Sequence, residues 1–112
     1  MKFYKLDNQI IISDKALTQG EKLIANTTDG AHEKHVPVIE QNGSTVTVKV
    51  GSVEHPSFTE HYIEWILLET EQGFQIHYLK PGMKPEATFL TGEKVKAAYE
   101  YCNLHGLWKA EA

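Results

Sequence analysis

The chain contains no arginine: all eleven of its basic residues are lysine. Planar, bidentate recognition of phosphate or carboxylate is therefore closed to it. It has one cysteine, Cys102, so no intrachain disulfide can form. No apolar run approaches the ~20 residues that a helix needs to cross a bilayer. Met1 to Ile12 carry a short apolar patch, but neither the layout of a signal peptide nor a small-residue cleavage site. These absences predict a cytoplasmic protein with no membrane partner. The formal net charge of −4 argues against a nucleic-acid partner.

What is present is ordinary in bulk. The 112 residues are 41% hydrophobic and 23% charged, enough to bury a core without disulfide staples. Hydrophobicity alternates mostly with period two, through β-branched and aromatic residues broken by turn signals. Gln9 to Ser13 and Lys22 to Ala25 read as short strands. Val36 to Glu40 and Ser44 to Val50 flank Asn42-Gly43, a strong hairpin signal. Tyr62 to Thr70, Phe74 to Leu79, Ala87 to Leu90 and Val95 to Tyr101 complete the set. Glu93 to Tyr101 also suits a helix by composition. Cys102 to Trp108 reads as a closing loop. Short strands at this spacing predict an antiparallel sandwich or barrel.

Histidine is the enriched residue, with six copies. Four of them, His35, His55, His61 and His105, fall in loops or at strand ends, where a sandwich builds its sites. Pro37 and Pro56 restrict the backbone beside two of them. Cys102 stands three residues before His105. Four histidines and one cysteine exceed both a closed tetrahedral zinc site and a blue-copper site. Five ligands leave an octahedral metal one open position, the arrangement of a redox-active iron that binds a small molecule. A lone loop histidine is more often solvated than a ligand, and a lone cysteine is more often a core thiol. A non-catalytic metal-binding or electron-transfer β-sandwich module is therefore the alternative reading. His77 falls inside a strand and reads as structural, Trp65 and Tyr62 as core.

Longer segments are more specific. They are Glu33-Lys34-His35-Val36-Pro37-Val38-Ile39-Glu40, then Val48 to Pro56, Glu60 to Ile66, Leu79 to Gly82, Pro85 to Ala87, and Tyr101-Cys102-Asn103-Leu104-His105-Gly106-Leu107-Trp108-Lys109. In order and spacing they resemble the desulfoferrodoxin and neelaredoxin family of superoxide reductases, from about Thr28 to the C-terminus. The resemblance implies an immunoglobulin-like antiparallel β-sandwich with one mononuclear non-haem iron at its loop end. His35, His55, His61 and His105 match the equatorial ligands, and Cys102 matches the axial one. Glu33 matches the carboxylate that fills the sixth position in the oxidised resting state. Lys34 matches the lysine beside the open position. The implied reaction is one-electron reduction of superoxide to hydrogen peroxide, with an external electron donor such as rubredoxin resetting the iron.

Met1-Lys2-Phe3-Tyr4-Lys5 also resembles the start of the rubredoxin-like domain found in two-iron members, but Leu6 stands where its first cysteine is expected. Residues 1–30 are thus read as a degenerate, metal-free remnant of that domain, and 31–112 as the iron-binding sandwich. The remnant's strands are expected to support a homodimer. His32 replaces an apolar residue expected before the Glu-Lys-His run, and is expected at the surface.

Overall fold

The computed structural model describes residues 1–112 and is almost entirely antiparallel sheet. β1 (Lys2–Leu6), β2 (Gln9–Ser13) and β3 (Glu21–Leu23) form a small sheet in the order β2-β1-β3. A single helical turn, α1 (His32–His35), leads into β4 (Pro37–Asn42) and β5 (Thr45–Val50). These are followed by β6 (Ile63–Thr70), β7 (Gly73–Tyr78), β8 (Glu86–Leu90), β9 (Val95–Cys102) and β10 (Gly106–Glu111). The sheets β4-β5-β8 and β10-β9-β6-β7 face one another as a sandwich with the three-plus-four strand arrangement of an immunoglobulin-like fold. No helix is long and apolar enough to cross a membrane.

Alternation decides what each face holds. In β5, Val46, Val48 and Val50 point inward, and the Asn42–Thr45 hairpin sets their register, with Gly43 at φ +63° in its turn. β6 and β9 are buried on both faces. Ile66, Leu68, Ala98 and Cys102 line the sandwich core, whereas Trp65, Leu67, Ala97, Tyr99 and Tyr101 line the outer face. That outer face is covered by the β1–β3 sheet of the same chain. Phe3 stacks on Trp65 at 5.9 Å between ring centroids and leans on Tyr99 at 4.7 Å.

Val95–Cys102 is a central strand, as its pattern predicts, and not the helix that composition also suited, because its alternation serves two apolar layers at once and overrides the local preference. One expectation is corrected. The chain after Cys102 is not a loop to Trp108. A tight turn reverses it into β10, whose Leu107 and Trp108 are both buried, on opposite faces.

Candidate metal centre

Five side chains converge at one end of the sandwich: His35, His55, His61, Cys102 and His105. One ligand atom from each lies within 4.8 Å of all the others. Each arrives by a different route. His35 ends α1. His55 sits in the β5–β6 loop, its N–H bonded to the Val50 carbonyl at 3.1 Å. His61 precedes β6, paired with Phe58 through reciprocal backbone bonds of 2.9 and 3.1 Å. Cys102 is the last residue of β9, and His105 lies in the turn to β10.

Backbone and side-chain anchors fix these routes. The Asn103 Oδ1 accepts from the Tyr62 N–H at 2.9 Å and its Nδ2 donates to the Glu60 carbonyl at 3.0 Å, so the residue after Cys102 clamps the segment that carries His61. The His105 carbonyl accepts from Trp108 Nε1 at 3.0 Å and from the Thr28 hydroxyl. Trp108, fully buried, stacks on the His35 ring at 4.9 Å and 13°. A Cβ at Gly51 would stand 2.5 Å from the Glu33 carbonyl oxygen, so α1 rests directly on the backbone there.

The four imidazoles close a ring. Consecutive centroids are 4.6 Å (His35–His55), 4.6 Å (His55–His61), 5.0 Å (His61–His105) and 4.9 Å (His105–His35) apart. The His35–His61 diagonal is 6.4 Å, close to that of a square with such sides. The inward nitrogens are identifiable. His35 Nε2 faces His105 Nδ1 at 3.1 Å. His55 Nε2 faces Cys102 Sγ at 3.6 Å, because its Nδ1 is taken by the Pro56 carbonyl at 2.7 Å. His61 Nε2 is buried with no hydrogen-bond partner. Buried lone pairs aimed at one another and at nothing else are costly unless a cation fills the gap.

Protonation favours ligation. Burial, reinforced by the neighbouring histidines, drives His35 down to about 3. Burial drives His55 to about 4 against the opposing pull of the Pro56 carbonyl, and lowers His61 as well. These rings are neutral donors at pH 7. Burial raises the Cys102 thiol, partly offset by the His105 and Leu104 backbone N–H groups. A bound cation removes that proton. Neutral imidazoles with one thiolate suit iron, and the donor set fits one mononuclear iron.

The profile described as Desulfoferrodoxin matches residues 27–111. The chain belongs to the desulfoferrodoxin family. It is 53% identical over 92 residues to the desulfoferrodoxin of Clostridium acetobutylicum, covering 80% of this chain and 71% of that one. Among solved structures, it resembles the superoxide reductase from Treponema pallidum with a TM-score of 0.88 and 37% identity over 99% of both chains. It resembles the one-iron superoxide reductase of Giardia intestinalis at 0.62 and 35%, over 71% of this chain and 97% of that one. The likeness to the Treponema protein spans nearly the whole chain and so takes in the β1–β3 sheet as well.

Of the residues singled out in the sequence, the structure brings together the four histidines and Cys102. Glu33 and Lys34 lie outside that cluster, both exposed on α1, with the Glu33 carbonyl accepting from the Val53 N–H at 2.8 Å. Lys34 lines a shallow cleft with His55, Pro56, Phe58 and Met83. His32 is exposed and stands nearly perpendicular to the Trp108 ring, with 5.0 Å between centroids. His77 packs on Phe89 at 4.4 Å, away from the cluster. Sequence reasoning missed Asn103 and Glu100. Glu100 was findable: it lies two residues before Cys102 in a strand, and period two puts both on one face.

Proposed function

We propose that the protein is a superoxide reductase that converts superoxide to hydrogen peroxide by one-electron reduction at a mononuclear non-haem iron. One observation carries this reading: four imidazoles form a near-square with a thiol among them and no sixth donor in the cluster. His35, His55, His61, His105 and Cys102 would hold the iron, with Glu33 as a further ligand in the oxidised resting protein. A metal held there would supply the single electron, and thiolate ligation would increase its electron-donating power.

The chain supplies steering and protons. Superoxide is an anion and the protein carries a formal charge of −4, so long-range electrostatics work against approach. Lys34 provides a local positive charge at the exposed side of the cluster, where it already opposes protonation of His55 and His61. Its ammonium donates a proton toward the reduced oxygen species, directly or through water. Two protons and that one electron convert each superoxide to one hydrogen peroxide. His35, His55 and Cys102 are buried and Lys34 is exposed, which keeps solvent behind the substrate rather than behind the thiol.

The electron donor in this reading is a small external carrier such as rubredoxin, the protein works in the cytoplasm, and the assembly is a homodimer. Residues 1–30 are the metal-free remnant of a second domain, and the covering of Trp65 and Tyr99 by Phe3 gives that remnant a role within its own chain. The test is direct. Reduced, iron-loaded protein mixed with superoxide should form one hydrogen peroxide per iron and develop a visible sulfur-to-iron band that Cys102→Ala lacks. A colourless protein that holds only zinc and leaves superoxide untouched refutes the reading.

A further inference from the structure

Glu100 is fully buried near the C-terminal end of β9, facing the sandwich core on the same side as Cys102. Its Oε2 lies 3.4 Å from His35 Nδ1, and its Oε1 has no partner. A carboxyl in an apolar core is a costly choice, since every strand position around it is filled by apolar residues that would pack there more cheaply. The other fully buried imidazole shows what such a partner accomplishes. His55 gives its outward nitrogen to the Pro56 carbonyl, which leaves Nε2 free to face inward. No backbone carbonyl is within reach of His35 Nδ1; Glu100 is its single hydrogen-bond partner. On its flank the ring is held by stacking on Trp108, which fixes its plane but leaves its rotation about that plane unspecified.

We propose that Glu100 is a positioning residue for the metal centre, accepting the Nδ1 proton of His35 so that Nε2 is held inward as the donor atom. The inference rests on the metal-binding reading of the cluster. An imidazole that gives Nε2 to a cation keeps its remaining proton on Nδ1, and a carboxyl oxygen that accepts it there fixes both the tautomer and the ring.

The experiment uses the full-length protein and Zn²⁺ as probe, with affinity read by chelator competition and the His35 Nδ1 proton read by NMR of the zinc-loaded protein. Glu100→Leu should weaken Zn²⁺ binding about 10- to 100-fold. It should do so without lowering, in the metal-free protein, the urea midpoint that a merely structural role would lower. Glu100→Gln keeps an acceptor oxygen and should restore most of the affinity. The Nδ1 proton, downfield in the wild type, should move upfield in Glu100→Gln because a neutral acceptor bonds less strongly. Wild-type affinity in Glu100→Leu overturns the inference. So does an unmoved Nδ1 resonance in Glu100→Gln, which decides the matter should Glu100→Leu not fold. Failure of the wild type itself to bind Zn²⁺ or iron would instead remove the metal-binding reading, and the inference with it.

Discussion

Gly51→Ala is a one-methyl change that should separate the two halves of the site. The added Cβ would lie 2.5 Å from the Glu33 carbonyl oxygen and 2.8 Å from the Lys34 carbonyl carbon, where ordinary contact begins at 3.4 Å. Both neighbours are backbone, so no side chain can swing away. Gly51 follows directly on β5, whose Val50 is packed in the core, whereas α1 is a single exposed turn. The turn therefore yields, by half an ångström or more. Its movement strains the Val53 N–H bond to the Glu33 carbonyl (2.8 Å) and the weaker one from the Ser52 hydroxyl (3.3 Å). Overpacking of this kind costs about 1–3 kcal/mol. Displacement of a positioned group by about 1 Å can cost on the order of 100-fold in rate. His35, at the far end of the turn, is held separately by Trp108, so the donor cluster should survive. The expected phenotype is a lower urea midpoint, Zn²⁺ affinity that falls by less than the roughly tenfold lost when a group supporting a ligand is removed, and a slowed reaction with superoxide in pulse radiolysis. Wild-type stability together with a wild-type rate would show that the seating of α1 on Gly51 does not place Lys34.

Lys34→Ala should slow the reaction with superoxide and flatten its dependence on ionic strength, both read by pulse radiolysis over a salt series; an unchanged slope would remove Lys34 from steering. Metal binding should release about one proton, from Cys102. His35 and His55, at about 3 and 4, are already neutral at pH 7, while the Cys102 thiol is raised by burial. Zn²⁺ affinity should accordingly rise about tenfold per pH unit below the thiol pKa, measured by competition between pH 6.5 and 8; a flat profile would mean the thiol is not a ligand. Phe3→Ala should cost about 3–5 kcal/mol, the usual range for a buried phenylalanine, in urea unfolding followed by tryptophan fluorescence, because Phe3 is the ring that covers Trp65 and Tyr99. A loss below about 1 kcal/mol would show that the β1–β3 sheet is not anchored there.

The sandwich was legible wherever one face of a strand is wet or a turn is chemically marked. Thr45 to Val50 alternates cleanly and Asn42-Gly43 fixes its hairpin, and both stand in the structure within a residue of where the pattern put them. Legibility failed where a strand serves two apolar layers. Leu107 and Trp108 are adjacent and both buried, Leu107 against the outer aromatic layer and Trp108 beneath His35, so β10 shows no alternation and reads as loop. Val95–Cys102 is ambiguous for the same reason: Ala97, Tyr99 and Tyr101 answer to one layer and Ala98, Glu100 and Cys102 to the other. A third layer supplied by the chain's own N-terminus is not visible in any one strand's pattern.

The site was legible in its ligands but not in the groups that hold them, and the difference is physical. A ligand announces itself by residue type, since four imidazoles and one thiol gathered in loops and at a strand end have few structural uses together. A supporting group is defined by what it touches. Asn103 matters because one side chain bridges the Glu60 carbonyl and the Tyr62 N–H across His61. Gly51 matters because a carbonyl occupies the space of its missing Cβ. Glu100 lies between these cases. Its type is anomalous for the inner face of a central strand, and that anomaly is readable once Cys102 fixes which face is inner. An acidic residue two positions from a thiol ligand in a strand is thus readable from sequence as a group that supports the site: the strand's period of two obliges it to share the thiol's environment, where a hydrogen-bonded partner such as His35 Nδ1 offsets its desolvation.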